Sequence, residues 1–295
     1  MVLNWHGRAH TLACLQALRA LDYHDWCLVL VDNGCSDFSA EEVDRLVPGA
    51  CYVRTETNLG FAGGANLGCR EALARGAAYV WFLNNDARPE PGALAELIAA
   101  AAHDTRLAIV GAKILQAGDP SRLDSIALRL DLHSGRTYLL GHDEVDRGQY
   151  DTLDDAIAVT ACAMLASARS LQQLRGFDET FFAYLEDADL CLRARAAGFR
   201  IGVAPKARVL HARPSARAGR QSISSLYYTA RNHLLLMDRH APQSWPRRWF
   251  RVATISALNA AYALRSGSRP FARLEAVRRG VRDYRRGITG AARCA

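Results

Sequence analysis

The chain has 295 residues, half of them hydrophobic, which is enough for one large α/β domain with an appendage or for two small domains. Its net charge of +7 is uneven: residues 241–295 hold twelve Arg against Glu275 and Asp283, a balance of +10, so the first 240 residues carry −3. The eight Cys form no CxxC pair, which suits reduced, mostly buried thiols better than disulfides or a zinc site; no basic-then-apolar leader follows Met1, and no apolar run reaches about 18 residues, which argues against a secreted precursor and a spanning helix.

Strand and helix patterns alternate through the first half. MVLNW is a strand that begins at Met1 and is short for a core strand, as though residues of its front lay upstream. Leu12, Leu15, Leu18 and Leu21 then give a helical spacing. A strand at 26–32 ends in Asp32, a helix is predicted at 39–47, and a third strand at 50–55 precedes the Gly-rich stretch 58–68, which leads into a helix to about Arg75. The apolar run ending in Leu83 is a fourth strand, 92–103 a helix and 106–111 a fifth strand. Such alternation implies βαβ units and a mainly parallel sheet flanked by helices. Residues 112–155 are polar and irregular and read as excursions over an active face. A buried strand at 157–167, a helix at 185–198 with acids in its first turn, and two short strands within 199–211 ending in His211 complete this part. From Gln221 onward the pattern is helical.

Residues 77–92 carry the strongest chemical signal. The fourth strand stops at Asn84, Asn85 and Asp86, and Pro89, Pro91 and Gly92 break the backbone before the next helix. The C-terminal tips of strands are where open α/β sheets bind ligands. One carboxylate beside two amides suits a divalent cation that holds a diphosphate, although an Asn/Asp turn capping the next helix would look similar. A dinucleotide fingerprint is disfavoured, because FAGGANLG lacks the GxGxxG spacing and WHGRAH follows the first strand.

Five clusters stand in order at strand ends or helix starts: NWHG (4–7), VDNGCSD (31–37), NLGFAGGANLG (58–68), FLNNDARPEPG (82–92) and FAYLEDADLCLR (182–193). Over roughly residues 1–235 they resemble the inverting glycosyltransferases of family 2, which have the GT-A fold. The wording is closest to the rhamnosyltransferase-like branch, with its NWNG, VDNxSxD, NxGFAxGxN, LNND and EDxDL. The resemblance implies a catalytic domain over 1–220, with a nucleotide-sugar half to about 111 and an acceptor half from about 112, followed by a helical, Arg-rich region over 221–295.

The same resemblance implies the roles of single residues. Asp32 would hydrogen-bond the nucleotide base, with Asn4 beside it, and Asn58, Gly60, Gly64 and Asn66 would let backbone approach nucleotide and sugar. Asn84, Asn85 and Asp86 fill the place of the family's DxD motif, so Asp86 becomes the main carboxylate for Mg²⁺ or Mn²⁺, and His211 can complete the metal site. Asp187 would take the acceptor proton, Glu186 would position acceptor or base, and Asp189 would be structural. The expected donor is a nucleoside-diphosphate sugar, dTDP-L-rhamnose first, and the expected acceptor a lipid-linked or cell-envelope glycan. Another donor such as UDP-hexose, a polyprenyl-phosphate acceptor, or an inactive nucleotide-sugar-binding module are the alternatives. Trp245, Trp249, Phe250 and the Arg cluster around them suit a helix lying on an anionic membrane, so the expected location is cytoplasmic, peripheral on the inner face of the plasma membrane. Nothing outside this basic tail points to nucleic acid.

Overall fold

Alternating β and α segments build the first half, much as the periodicity predicts. The computed structural model describes residues 1–132, 136–212, 222–265 and 269–292. Strand β1 (Val2–Asn4), helix α1 (Arg8–Arg19), β2 (Val29–Asn33), α2 (Ala40–Leu46), β3 (Cys51–Thr55), α3 (Gly60–Ala74) and β4 (Tyr79–Asn84) follow in turn. Helix α1 forms because Cys14, Leu15 and Leu18 share one buried face with Thr11. Every residue of β2 is buried, as expected of a parallel strand covered on both faces. The Gly-rich stretch is itself helix from Gly60, where a loop leading into a helix was expected.

Next come β5 (Ala87–Pro89), α4 (Ala93–His103), β6 (Leu107–Gln116), β7 (Asp119–Ser125), β8 (Ala127–Asp131), β9 (Arg136–Leu140), β10 (Ala163–Ser167), α5 (Ala168–Leu174), a 3-10 turn (Glu179–Phe181), α6 (Glu186–Ala196) and β11 (Arg200–His211). The order β3-β2-β1-β4-β10-β6-β11-β5, with β7 added beside β6, makes a nine-stranded sheet. Strand β10 lies antiparallel between β4 and β6, while β11 runs parallel to β6 and antiparallel to β5. The sheet is therefore mixed, although most strands share one direction. Residues 112–155 are not irregular throughout: β6 runs on to Gln116 and β7, β8 and β9 follow. Leu123, Ile126, Leu128 and Leu130 are buried, so strand formation there is driven by apolar side chains within a polar sequence. The two strands expected within 199–211 are one strand whose pairing with β6 slips between Ala204 and Arg208, around Pro205, which lacks the N–H a regular ladder needs.

Three helices close the chain, α7 (Ile223–His240), α8 (Trp245–Arg265) and α9 (Pro270–Arg285). The expected domain boundary at 220/221, Arg213, Pro214 and Ser215 after His211, and Cys294 lie outside the described residues. Val252 and Ile255 of α8 and Leu234 and Met237 of α7 belong to the same buried cluster as Phe82, Met164 and Leu190 of the sheet domain. Burying each such side chain contributes about 1.5–3 kcal/mol. Helix α9 meets α7 so closely that a Cβ on Gly280 would lie 2.4 Å from the Tyr227 carbonyl oxygen. These helices are thus packed into the domain.

The strand tips and the opposite end of the sheet differ in chemistry. A cavity of about 430 Å³ lies at the leading ends of β2 and β4, lined by Met1, Leu28, Val29, Tyr79 and Trp81 among others, and it contains no residue of the clusters described below. The Met1 amino group donates to the Trp81 carbonyl there at 2.9 Å, and burial lowers its pKa to about 6.

Candidate active site

Three polar assemblies form at the C-terminal tips of the strands. The first is centred on Asn4 and Asp32, both wholly buried and neighbours across the β1–β2 pairing. Asn4 Nδ2 donates to Asp32 Oδ1 at 2.8 Å and to Asp37 Oδ2 at 3.0 Å. Its Oδ1 accepts from Thr11 Oγ1 at 2.8 Å and from Asn85 Nδ2 at 3.3 Å. One side chain therefore ties the VDNG turn to the LNND turn. Asp32 also accepts from Cys35 Sγ at 2.6 Å, and the Tyr52 hydroxyl lies 3.1 Å from its Oδ2. Burial and the adjacent Asp32 push the Tyr52 phenol up to about 12, so it remains a neutral donor.

The Gly-rich helix start is fastened to the same face. Asn33 Nδ2 donates to Asn58 Oδ1 at 3.1 Å and to the Gly60 carbonyl at 3.0 Å, and its Oδ1 accepts from Leu59 N–H at 2.9 Å. Gly60 has φ +74, and a Cβ there would lie 2.3 Å from the Phe182 carbonyl oxygen. Gly64 admits Leu3, whose Cδ1 would stand 2.5 Å from an added Cβ, so this glycine serves close packing of α3 on β1. Asn66 is turned to another task. It donates to the Phe177 carbonyl at 2.9 Å and to Glu179 Oε1 at 3.0 Å, and accepts from Phe177 N–H at 2.8 Å. It clamps the segment that precedes α6.

The second assembly joins Asp86 to His211. The β5–β11 pairing sets His211 opposite Ala87, and Nε2 of His211 stands 3.2 Å from Asp86 Oδ1. Nδ1 lies 2.8 Å from Oδ2 of buried Asp124, on β7. Burial opposes ionisation of Asp86, yet the imidazole and a backbone N–H outweigh it and hold the carboxyl below its usual range. Burial likewise opposes charge on His211, but Cys162, Asp124 and Asp86 around the ring raise its pKa well above the ordinary value. A histidine whose second nitrogen is tied to a carboxylate is the usual arrangement of a ligating imidazole. The carboxylate oxygen and imidazole nitrogen thus fit a divalent cation, and an imidazole suits Mn²⁺ better than Mg²⁺.

The third assembly is the 182–187 turn. Phe182, Tyr184 and Leu185 have φ of 63°, 71° and 70°. Left-handed conformations of bulky residues cost about 1–3 kcal/mol each and persist only where the surroundings enforce them. The enforcement comes from α7: Asn232 Nδ2 lies 2.8 Å from each of the carbonyl oxygens of Phe181, Ala183 and Tyr184. Buried Arg231 donates to the Phe181 carbonyl at 2.9 Å and to the Gly290 carbonyl at 2.6 Å, and its Nε donates to Asn232 Oδ1 at 2.9 Å.

This turn delivers Glu186 and Asp187. Asp187 Oδ2 accepts from Ala161 N–H at 3.0 Å and Oδ1 from Ala188 N–H at 2.8 Å. Because Asn84 N–H donates to the Cys162 carbonyl at 3.0 Å, the Asp187 anchor is one residue from the LNND strand's own partner. Burial raises the Asp187 pKa, opposed by the Ala161 and Ala188 N–H groups. Glu186 is pushed well above the usual carboxyl range by burial, then by Asp187 and Asp189, and its Oε2 makes no hydrogen bond among the described residues. Asp189 faces elsewhere: it accepts from Arg193 Nε at 2.7 Å and pairs with His240 at 2.8 Å, joining α6 to α7.

The sequence reading did not single out Asp124, Asn33, Tyr52, Arg231 or Asn232. The alternation of Ile126, Leu128 and Leu130 was the available signal for strands near Asp124, and Asn33 stood inside a quoted cluster. Nothing local distinguishes Arg231 from the other arginines, since its role depends on carbonyls about 50 residues away.

Comparison with known proteins bears on the family and the fold. A family model described as glycosyl transferase family 2 matches residues 7–165, more than half of the chain. A galactofuranosyltransferase of Mycolicibacterium smegmatis is 34% identical over 127 residues, 41% of each chain, so the chain spans about two fifths of that relative. An N-acetylglucosaminyl-diphospho-decaprenol L-rhamnosyltransferase of Mycobacterium tuberculosis is 26% identical over 258 residues, 81% of each chain. Among solved structures, a mannosyltransferase of Pyrobaculum calidifontis with GDP-Man and Mn²⁺ superposes with a TM-score of 0.56 at 17% identity, over 97% of this chain and 81% of the other. TarS of S. aureus with UDP-GlcNAc gives a TM-score of 0.56 at 13% identity, over 99% and 92%. The structural matches establish a GT-A transferase fold, and the family match establishes that this chain belongs to glycosyl transferase family 2.

Proposed function

We propose that the protein is a metal-dependent, inverting glycosyltransferase that moves L-rhamnose from dTDP-L-rhamnose to a hydroxyl of a lipid-linked or cell-envelope glycan. One observation carries the catalytic reading: a carboxylate of raised pKa, Asp187 in the first turn of α6, is held beside the LNND turn by the N–H of Ala161, just before β10, and that of Ala188. A base that holds a proton more tightly than an ordinary carboxylate is better matched to accept one near neutral pH. Asp187 takes the acceptor hydroxyl proton as that oxygen attacks the anomeric carbon, and the bond to the diphosphate breaks on the opposite face. Glu186, whose raised pKa favours the protonated form and whose Oε2 has no hydrogen-bond partner among the described residues, donates a hydrogen bond to the acceptor. Asp86 and His211 hold the cation, which when bound supplies charge neutralisation at the leaving diphosphate. Asp32, with Asn4 and the tips of β2 and β3, receives the nucleotide base. Asn58, Gly60, Asn84 and Asn85 line the approach for nucleotide and sugar.

The rhamnosyl assignment draws on the relative matched across 81% of the chain. A UDP-hexose donor is the second reading, favoured by the higher identity to a galactofuranosyltransferase over the shorter stretch. Thermal unfolding with Mn²⁺ and a panel of dTDP-, UDP- and GDP-sugars separates them. Protection by dTDP-L-rhamnose above all others is expected, and selective protection by a UDP-sugar overturns the first reading.

Helix α8 gives the reading its location. Among the described residues no helix is long and apolar enough to cross a membrane. Yet Trp245, Phe250, Leu258, Tyr262 and Leu264 of α8 and Phe271 of α9 are exposed, the two Phe by 76% and 87%. Arg247, Arg265 and Arg269 are exposed with them, whereas Arg251 and Arg273 are buried and spend their charge inside the fold. An apolar surface rimmed by Arg suits adsorption to an anionic bilayer, such as the cytoplasmic leaflet.

A further inference from the structure

We propose that His6, Cys35 and Asp37 form a second metal site, for a soft divalent cation of the zinc class, and that its occupancy excludes the sugar nucleotide. The exclusion rests on the proposed role of Asp32 as receiver of the nucleotide base; the metal site does not. One ligand atom from each of the three residues lies within 4.8 Å of the other two. His6 follows β1 in a left-handed conformation, φ 50°, which turns the chain so that its N–H points to Cys35 Sγ at 3.4 Å. Asn4 Nδ2 donates to Asp37 Oδ2 at 3.0 Å and so holds that ligand in place, with Cys35 Sγ 3.4 Å from the same nitrogen.

The donor set is unlike that of Asp86 and His211. A thiolate with an imidazole selects zinc-like cations over Mg²⁺ or Mn²⁺, and three protein ligands leave a fourth position for water. His6 is exposed and Asp37 half-buried, so the ion has an approach from solvent. The surrounding charge favours a cation: Asp32 and Asp37 are adjacent, and the nearby guanidinium of Arg8 is already paired with Glu42. His6 and Cys35 also stand where the family wording NWNG and VDNxSxD has Asn and Ser, so two of the three ligands depart from that wording.

Occupancy changes the nucleotide pocket directly. The Cys35 thiol donates to Asp32 Oδ1 at 2.6 Å. Coordination uses the sulfur as thiolate, releases its proton to solvent, and removes that hydrogen bond. It also sets a divalent charge beside the Asp32 carboxylate, which would otherwise accept from the base.

The test uses the full chain with Co²⁺ as a spectroscopic stand-in. Co²⁺ is expected to give a near-ultraviolet thiolate charge-transfer band and visible bands of tetrahedral coordination, both bleached by Zn²⁺. C35S is expected to lose the thiolate band, H6N to weaken binding, and D86A to retain both bands. H6N alters only an exposed side chain, so the test survives even if C35S folds poorly. Absence of the band, or its persistence in C35S, overturns the site. In a second arm, UDP and dTDP with Mn²⁺ are scored by protection from thermal unfolding, with and without Zn²⁺. Zn²⁺ is expected to abolish protection of the native chain and spare it in C35S. Unchanged protection at saturating Zn²⁺ overturns the exclusion. If nucleotides fail to protect even without Zn²⁺, the nucleotide reading of the Asp32 pocket is overturned while the metal site stands.

Discussion

His211 and Asp124 pair through Nδ1 and Oδ2 at 2.8 Å, both buried, although they are 87 residues apart in the chain. The contact leaves Nε2 facing Asp86. Replacing Asp124 with Asn removes the acceptor charge without changing shape. Mn²⁺ affinity, followed by electron paramagnetic resonance of free Mn²⁺, is expected to weaken about 10–100-fold, the usual effect of altering such an outer partner. D86A is expected to lose Mn²⁺ binding and turnover together. Unaltered Mn²⁺ affinity in D124N would remove Asp124 from the site.

Asp187 separates binding from chemistry. D187N removes the charge and keeps one carbonyl oxygen to accept from either the Ala161 or the Ala188 N–H, while its NH₂ faces the other, so donor affinity is read beside turnover to register any loosening of the turn. Turnover is expected to fall about 10²–10⁴-fold, with donor affinity nearly intact. Near-normal turnover by D187N would end its assignment as the base.

The Glu186 carboxyl makes stability depend on pH in an unusual direction. Its pKa is raised in the fold by burial and by Asp187 and Asp189. Between the unfolded value, about 4.5, and the folded one, the native state keeps a proton that the unfolded state has released, so stability falls as pH rises through this window. E186Q removes the ionisation, and its melting temperature is expected to exceed that of the native chain at pH 8, the gap narrowing toward pH 5. A constant difference at both pH values would show that Glu186 carries no such shift.

Asn232 tests the support of the 182–187 turn. N232A removes this donor from the carbonyls of Phe181, Ala183 and Tyr184, of which Phe181 keeps Arg231 and Tyr184 is exposed, and it leaves Arg231 Nε without its acceptor. Each buried group left unpaired costs about 1–3 kcal/mol. A lower melting temperature is expected, together with a kcat loss larger than any change in donor affinity, because the relaxed turn no longer fixes Asp187. Donor affinity and kcat falling in parallel would mark Asn232 as general scaffold.

Exposure of Phe250 and Phe271 makes the membrane reading accessible to point substitution. F250E with F271E is expected to abolish co-sedimentation with anionic vesicles while leaving nucleotide protection unchanged. The native chain is expected to bind those vesicles at low salt, to leave them at high salt as the attraction is screened, and to ignore neutral ones. Equal sedimentation of native and double-variant protein would remove α8 from the membrane.

Short-range signals in the chain were sufficient for much of this. The period of apolar residues marked α1, β2, β3, β4 and α4, and the clusters at strand ends carried the family resemblance that implied roles for Asp32, Asp86, Glu186, Asp187 and, beyond the clusters, His211. Such features are local: a strand followed by a turn reads the same in any context. What the chain did not display locally was decided by pairing and burial. β10 runs backwards between β4 and β6, which brings Ala161 to Asp187. The strands β7 to β9 arise from apolar side chains scattered through a polar segment, and β7 carries Asp124 to His211. Asn66 fastens Phe177 and Glu179, and Arg231 and Asn232 support the 182–187 turn. These depend on groups from 26 to 111 residues apart, and only the closed fold supplies the low-dielectric burial that makes an unpaired polar group costly enough to fix them.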